Sequence, residues 1–473
     1  MVHHPQNERS CQSTTPLIRQ DTDTPIVAIA TAIGRGSIGV VRVSGKNLTQ
    51  FYTELTDGHP IKPRYATHLP IQDTDGSLID EAIVIFFQGP HSYTGEDVVE
   101  IQGHGGAAVS QLLLQRCLSI GYSIGLRLAQ PGEFTLRAFL NDKIDLAQAE
   151  AVSDMIEASS NAAAKAAAAS LSGVFSREVK KLSDQVLQIR TLVEATLDFP
   201  EEEIDFIEKY EVKARLNTID AQLCQTLAIS KQSSALKDGL NVVLAGQPNV
   251  GKSSLLNAVC SQEIAIVTDI AGTTRDRIRE SLIIDGVPVT ITDTAGLRET
   301  DDAIESIGIE RTWQAIAQAD LILDIVDVRA PESFLKNWRH RSELANKPII
   351  TVFNKCDLLE LEKHEINADS VCLEVSAKTG HGINELKQAI LTKAGRQLGE
   401  VSPWLGRQRH VQALERAISH LQAAIEHAKY NDQVLDLVAE ELRLTHQELG
   451  SITGEITAED LLGEIFSSFC IGK

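Results

Sequence analysis

The 473-residue chain contains no run of about 18 uninterrupted apolar residues, which argues against a membrane span. Aromatic residues are scarce, at 4%, and positive charge is in short supply: 44 lysines and arginines face 65 acidic residues, for a formal net charge of −21. So acidic a chain is a poor non-specific binder of nucleic acid, because phosphate contacts supply most of that affinity. Local basic patches remain open, but an RNA substrate is expected to be held jointly with a basic partner. The 7 cysteines (Cys11, Cys117, Cys224, Cys260, Cys356, Cys372 and Cys470) include no Cys-x-x-Cys pair. That argues against a zinc site or disulfide framework and fits a reducing, cytoplasmic setting. The polar N-terminal residues lack the apolar core of a signal peptide, and 1–22 are expected to be a disordered tail. No internal repeat is visible, and low complexity is confined to an alanine run at 162–169.

What is present suggests two to four domains. Over 23–140, short β-type runs (Ile26–Ala30, Gly39–Val43, Ala82–Phe87) alternate with glycine-rich turns, which reads as an α/β or α+β domain. From Asn141 to Leu236 the texture changes to alanine, glutamate, leucine and lysine, a helical region. The acidic stretch 198–205 interrupts it as an expected solvated loop. Residues 237–397 alternate apolar runs (Asn241–Ala245, Val287–Thr292, Leu321–Val326, Ile349–Phe353, Val371–Val375) with amphipathic helices, as a doubly wound sheet does. Residues 398–473 are helical again, most clearly at His410–Tyr430 and Asp432–Leu444. Helical texture on both sides implies an α/β unit inserted into one all-α domain.

The chemistry concentrates in that insert. Residues 246–253 read Gly-Gln-Pro-Asn-Val-Gly-Lys-Ser, matching G-x-x-x-x-G-K-[ST] between an expected strand and an expected helix, with Ser254 following. Glycines in such a loop let backbone N–H groups and the helix N-terminus approach phosphate oxygens. Lys252 then reaches the β- and γ-phosphates, and Ser253 ligates magnesium. Asp293, Thr294, Ala295 and Gly296 end one strand, placing a carboxylate by the magnesium shell and a glycine amide by the γ-phosphate. Asn354, Lys355, Cys356 and Asp357 end another; the Asp357 carboxylate accepts from two donors on a guanine edge, a pair adenine lacks. Ser376, Ala377 and Lys378 follow the next strand and reach the base through backbone. Four motifs in order, at strand C-terminal ends, make a guanine nucleotide site. Ala271, Gly272, Thr273 and Thr274 supply a switch threonine that would order its loop only with the γ-phosphate present. Leu297 stands where Ras-like GTPases carry a water-orienting glutamine, so one of the carboxylates in the stretch ending at Glu305 is expected to substitute.

Motifs outside the insert are more specific still. They are Gly34-Arg35-Gly36-Ser37-Ile38-Gly39 leading to Arg42-Val43-Ser44-Gly45, Tyr93-Thr94-Gly95-Glu96-Asp97, and Gly103-His104-Gly105-Gly106. Pro131-Gly132-Glu133-Phe134, the stretch Ala138–Glu150 and the terminal Cys470-Ile471-Gly472-Lys473 complete the set. On these motifs the chain resembles the MnmE (TrmE) family of tRNA-modification GTPases over essentially everything after the tail.

The resemblance implies a K+-stimulated GTPase that dimerises through its G domains. Asn249, Thr268, Ile270 and Thr273 would ligate K+, and Ser253 and Thr274 Mg2+. Val250, Asp269 and the residues around them would line the GTP, with Lys252 and Glu305 catalytic and Glu305 orienting water. The family modifies carbon 5 of the wobble uridine of certain tRNAs, in a heterotetramer with the flavoprotein MnmG (GidA). Its N-terminal domain takes a tetrahydrofolate derivative, 5-formyltetrahydrofolate serving as analogue; the matching residues are Arg42, Glu100, Lys143 and Lys473. Cys470 is either a nucleophile or an inert thiol, and His104 either forms a turn or takes part in catalysis. The tail, Ser37 and Lys378 depart from the family pattern.

Two other readings stand beside this one. A ribosome-assembly GTPase of the Era or Der kind would need an RNA-reading module such as a KH domain in basic surroundings. A GTP-regulated scaffold would have no chemistry of its own.

Overall fold

The computed structural model describes residues 23–32, 34, 36–198, 211–260, 279–293, 313–330, 335, 344, 347–358, 372–393, 402–455, 459–467 and 469–472. The expected tail and the acidic stretch from 199 onward lie outside them. The chain divides into two compact units, residues 1–153 with 453–473, and residues 154–452.

The first unit is built on a six-stranded sheet: β1 (Ile26–Ile29), β2 (Ile38–Gly45), β3 (Thr67–Gln72), β4 (Leu78–Phe87), β5 (Asp97–His104) and β6 (Arg127–Leu128). The order is β3-β4-β5-β2-β1-β6, antiparallel except for the β1–β6 pair. Alternation along β4 buries Asp80, Ala82, Val84 and Phe86. That face packs with Val41, Val43, Val99 and Ile101 against Phe51 and Leu55 of helix Thr49–Leu55 and Leu113 and Cys117 of helix Ala107–Ile120. Ile26 and Ala28 instead meet Ala129 and Phe134. A C-terminal helix, Glu459–Ser467, returns to this unit; its Leu462, Ile465 and Phe466 pack with Phe469 on Leu136, Leu146 and Ala149. Beyond it, Ile471 bridges to Pro131 and the Gly132 N–H donates to the Cys470 carbonyl at 3.3 Å.

The second unit holds the other sheet: β7 (Leu240–Ala245), β8 (Arg279–Ile284), β9 (Val287–Asp293), β10 (Leu321–Asp327), β11 (Ile349–Asn354) and β12 (Cys372–Val375). Its order is β12-β11-β10-β7-β9-β8, parallel throughout except for edge strand β8. Every residue of β10 is buried, as expected of a strand covered on both faces. The sequence places strands within each of β7, β9, β10 and β11, and none at β8.

Long helices flank the sheet in the chain: Asn161–Leu171, Val174–Asp198, Val212–Asp238, Gln408–His427 and Leu435–Thr453. Ala163, Ala166 and Ala167 of the first join one apolar core with Val242, Leu255, Ile284 and Val289. Ser160 caps that helix by accepting from the Ala163 N–H at 3.1 Å, and donates its hydroxyl proton to the Gly286 carbonyl at 2.5 Å. Both connections of the inserted sheet are pinned. Asp154 Oδ1 lies 2.9 Å from Lys237 Nζ, just before β7, and 2.6 Å from an Arg407 guanidinium nitrogen after the insert. Ser230 accepts from the Trp404 indole at 3.1 Å, while Ser170 and Ser233 accept from the Leu405 and Gly406 N–H groups at 2.9 and 2.8 Å. No helix among the described residues is long and apolar enough to cross a membrane.

Candidate functional site

Parallel strands deliver their C-terminal ends to one edge of the second sheet, and the described residues of the nucleotide motifs gather there. The loop after β7 is shaped by backbone that side chains rarely adopt: Gly246, Asn249 and Gly251 have φ of 154°, 64° and 97°. A Cβ on Gly251 would run into the Asn354 side-chain amide, and one on Gly246 into the Ile325 carbonyl. Glycine is thus required for this loop to lie against its neighbours, and the loop then opens helix Lys252–Cys260. Such an arrangement fits a chain of phosphates.

Lys252 is buried, and its ammonium donates to the Gly246 and Gln247 carbonyls at 2.6 and 3.0 Å. Burial pushes its pKa below the ordinary lysine value, and the Asp293 carboxylate pulls the other way. The Ser253 hydroxyl donates to Asp293 Oδ2 at 2.9 Å. Two hard oxygens so spaced fit adjacent positions of an octahedral shell with ligands at about 2.0–2.1 Å, as Mg2+ requires.

Asn354, buried at the end of β11, ties three segments together. Its amide donates to the Val250 carbonyl at 2.9 Å, and its Oδ1 accepts from the Lys355 and Ala377 N–H groups at 2.8 and 3.2 Å. Asp357, exposed in the following turn, accepts from the Ser376 hydroxyl at 2.6 Å, and Ser376 in turn receives the Thr379 N–H at 3.2 Å. A carboxylate steadied in this way faces solvent on the same loop pair that carries Ala377 and Lys378. Val250 is buried, while Ser254 is exposed on the first turn of the helix.

Sequence reasoning passed over Asp327 at the end of β10. Hydrogen bonds from Arg329 hold its carboxyl well below the usual carboxylate range, against burial and with help from Lys355. The sequence shows only that Asp327 follows an apolar run; its place opposite Asn354 comes from the sheet register.

Thr268, Asp269, Ile270, Ala271, Gly272, Thr273, Thr274, Thr294, Ala295, Gly296 and Glu305 lie outside the described residues, as does Lys473.

In the first unit, the register sets Arg42 of β2 against Glu100 of β5. Arg42 reaches Glu100 Oε1 through Nε and a terminal nitrogen at 2.9 and 2.8 Å, and donates to the Gly472 carbonyl at 3.3 Å. Its guanidinium lies over the rings of Tyr93 and Phe134, 5.7 and 5.8 Å from their centroids. Lys143 donates to the Pro90 carbonyl at 2.9 Å and lies against Gly95. Cys470 is exposed. Arg42, Glu100 and the residue preceding Lys473 therefore meet, the ion pair partly exposed beside the exposed Tyr93 ring and over the buried Phe134 ring. His104 is held separately: its Nδ1 and backbone N each lie 2.7 Å from the buried Asp80 carboxylate. Among the described residues no His, Cys, Asp or Glu cluster has the geometry of a metal centre.

Comparison with known proteins places these two surfaces in one lineage. Residues 25–143 match the family model described as the GTP-binding protein TrmE N-terminus, and residues 146–470 match the MnmE helical domain. The chain is similar to the tRNA modification GTPase MnmE of Bordetella parapertussis, 57% identical over 95% of this chain and 99% of that one. The MnmE proteins of Ralstonia nicotianae and Burkholderia cenocepacia are 54% and 52% identical, over 95% and 97% of this chain and 96% and 100% of theirs. Taken with the two family models that together span 25–470, these likenesses show that the chain belongs to the MnmE (TrmE) family.

Proposed function

We propose that the protein hydrolyses GTP in the service of tRNA wobble-uridine modification. The observation that carries this reading is Asn354, whose one side chain bonds both the phosphate loop and the loop that faces Asp357. A single purine nucleotide spans that distance with its phosphates on residues 246–253 and its base on Asp357.

Ser253 and Thr274 would hold Mg2+ in this reading, with the Asp293 carboxylate beside its shell, and the ion would supply positive charge to the phosphate oxygens. Lys252, drawn from the Gly246 and Gln247 carbonyls, takes up the β- and γ-phosphates. Asp357 accepts from the guanine edge, and the N–H groups of Ala377 and Lys378 address the base. Glu305 orients the attacking water in place of the absent glutamine. Asn249, Thr268, Ile270 and Thr273 would ligate K+, which would supply the kind of positive charge that an arginine finger gives in other GTPases. In the first unit, Arg42, Glu100, Lys143 and Lys473 bind a tetrahydrofolate derivative that supplies a one-carbon unit. The domains run 23–140, 141–236 with 398–473, and 237–397. The protein works in the cytoplasm as a homodimer, in a complex with the flavoprotein MnmG that contributes most of the tRNA contact.

The test has two arms. Purified protein is expected to cleave GTP and leave ATP uncut, and to give a calorimetric signal with 5-formyltetrahydrofolate. Bulk tRNA from cells lacking the protein is expected to lose its 5-substituted wobble uridines. A chain that prefers ATP, or an unchanged nucleoside profile, removes the corresponding half of the reading.

A further inference from the structure

At the edge of the second sheet where the nucleotide motifs converge, one carboxylate has no part in them. Asp327 ends β10, and its side chain is only 12% exposed. Arg329 grips it three times: its backbone N and Nε donate to Oδ1, both at 3.0 Å, and a terminal nitrogen donates to Oδ2 at 2.7 Å. The carboxylate is thereby fixed in place. Its Oδ2 accepts from Lys355 Nζ at 2.8 Å, and the same ammonium donates to the Asn249 carbonyl at 2.7 Å. Both Lys355 and Asn249 hold left-handed backbone, with φ of 69° and 64°. Residues with a Cβ leave that region readily unless their surroundings hold them in it.

We propose that Asp327 is a positioning residue for the nucleotide: it aims Lys355 and so locks Asn249 of the phosphate loop to the loop bearing Asp357. A lysine ammonium is a strongly hydrated point charge on a flexible stem, and a carbonyl alone does not keep it out of water. A carboxylate already clamped by an arginine does, through a charge-assisted hydrogen bond. Without that bond Lys355 turns to solvent, Asn249 loses its tether, and the preformed cradle is populated for less of the time. The consequence falls first on nucleotide retention, because neither Asp327 nor Lys355 lies on the Ser253–Asp293 side of the loop and the tether holds the Asn249 backbone carbonyl, not the side chain assigned to K+.

The inference rests on the guanine-nucleotide reading, and stopped-flow release of fluorescently labelled GDP from the full-length protein separates the two. Asp327→Asn is expected to speed release about tenfold, the effect of losing one charge-assisted hydrogen bond. Turnover at saturating GTP and saturating K+ should change less than release does, since saturation refills a loosened Asn249 site. Lys355→Met should speed release to a similar degree, and the double variant should release no faster than either single one, because both act through one contact. Asp327→Glu, which keeps the charge but displaces it, should fall between wild type and Asp327→Asn. Unchanged release in Asp327→Asn, or a double variant whose effect multiplies the two single effects, overturns the inference. So does a wild-type rate in Asp327→Glu, should Asp327→Asn fail to fold. Wild-type protein that retains no labelled GDP at all sinks the guanine reading instead.

Discussion

The Ser253 hydroxyl and the Asp293 carboxylate meet across 2.9 Å, which joins the first turn of the phosphate-loop helix to the end of β9. In the proposed reading, an oxygen pair of this kind would make nucleotide affinity depend on Mg2+. Asp293→Asn is expected to abolish most of the gain in GTP affinity that Mg2+ confers and to cut kcat by about 100-fold, the scale on which loss of one transition-state charge partner acts. Calorimetric titration of a non-hydrolysable GTP analogue with and without Mg2+ checks it; an undiminished gain in the variant counts against the pair.

Base selectivity is the next test. In the proposed reading Asp357 accepts from two donors on guanine, and an amide in its place would present one donor group and one acceptor. Asp357→Asn should weaken GTP binding by about 100-fold, roughly 3 kcal/mol, and improve binding of xanthosine triphosphate, whose edge carries a carbonyl in place of the amino group. Competition against a labelled guanine nucleotide measures both shifts.

Replacing Na+ by K+ at constant ionic strength should raise GTP turnover strongly, and Asn249→Lys should erase the response. Equal rates in the two salts would remove the monovalent ion from the mechanism. Glu305→Ala should lower kcat with little change in nucleotide affinity, because orienting water serves the transition state.

Asp154 is buried between Lys237 and Arg407. Asp154→Ala strands two cations beside each other and should destabilise the second unit by about 3 kcal/mol. Urea unfolding followed by nucleotide release reports on this unit; a shift below about 0.5 kcal/mol would place the pair among ordinary surface contacts.

Acid should act on the first unit through Glu133. Burial favours the neutral form of its carboxyl, but hydrogen bonds from Arg127, the Gln130 N–H and Arg137 outweigh it and hold the pKa below the ordinary 4.5. The stabilisation is therefore complete above pH 4.5 and drains away as pH falls through the lower folded-state value. Glu133→Gln lacks it at every pH. Thermal midpoints of the two proteins should differ most near neutrality and converge in acid, and a gap that widens in acid would contradict the assignment.

What the sequence made legible was whatever is written locally. The runs expected as strands at Asn241–Ala245, Leu321–Val326 and Ile349–Phe353 lie inside β7, β10 and β11, because doubly covered strands are continuous apolar stretches. The edge strand β8 begins with Arg279 and Glu280 and needs to be apolar on one face only, so no such run announces it. Helix Gln408–His427 lies inside the expected His410–Tyr430 but for its first two residues. The pairs that lock the fold were invisible. Asp154 and Arg407 are 253 positions apart, and no periodicity links a carboxylate to a guanidinium at that range. Within the nucleotide site, motif spacing brought Ser253, Asp293, Asn354, Asp357 and Ser376 into view. It did not reveal Asp327, whose role depends on which neighbours its side chain finds in three dimensions.

Ala163, Ala166 and Ala167 share one apolar core with the sheet that carries the nucleotide motifs. Cutting residues 237–397 out as a stand-alone fragment would strip that alanine cover and leave a greasy strip facing water. Such a fragment is expected to self-associate or need detergent, and any dimer seen with it would report the missing helix before it reported biology.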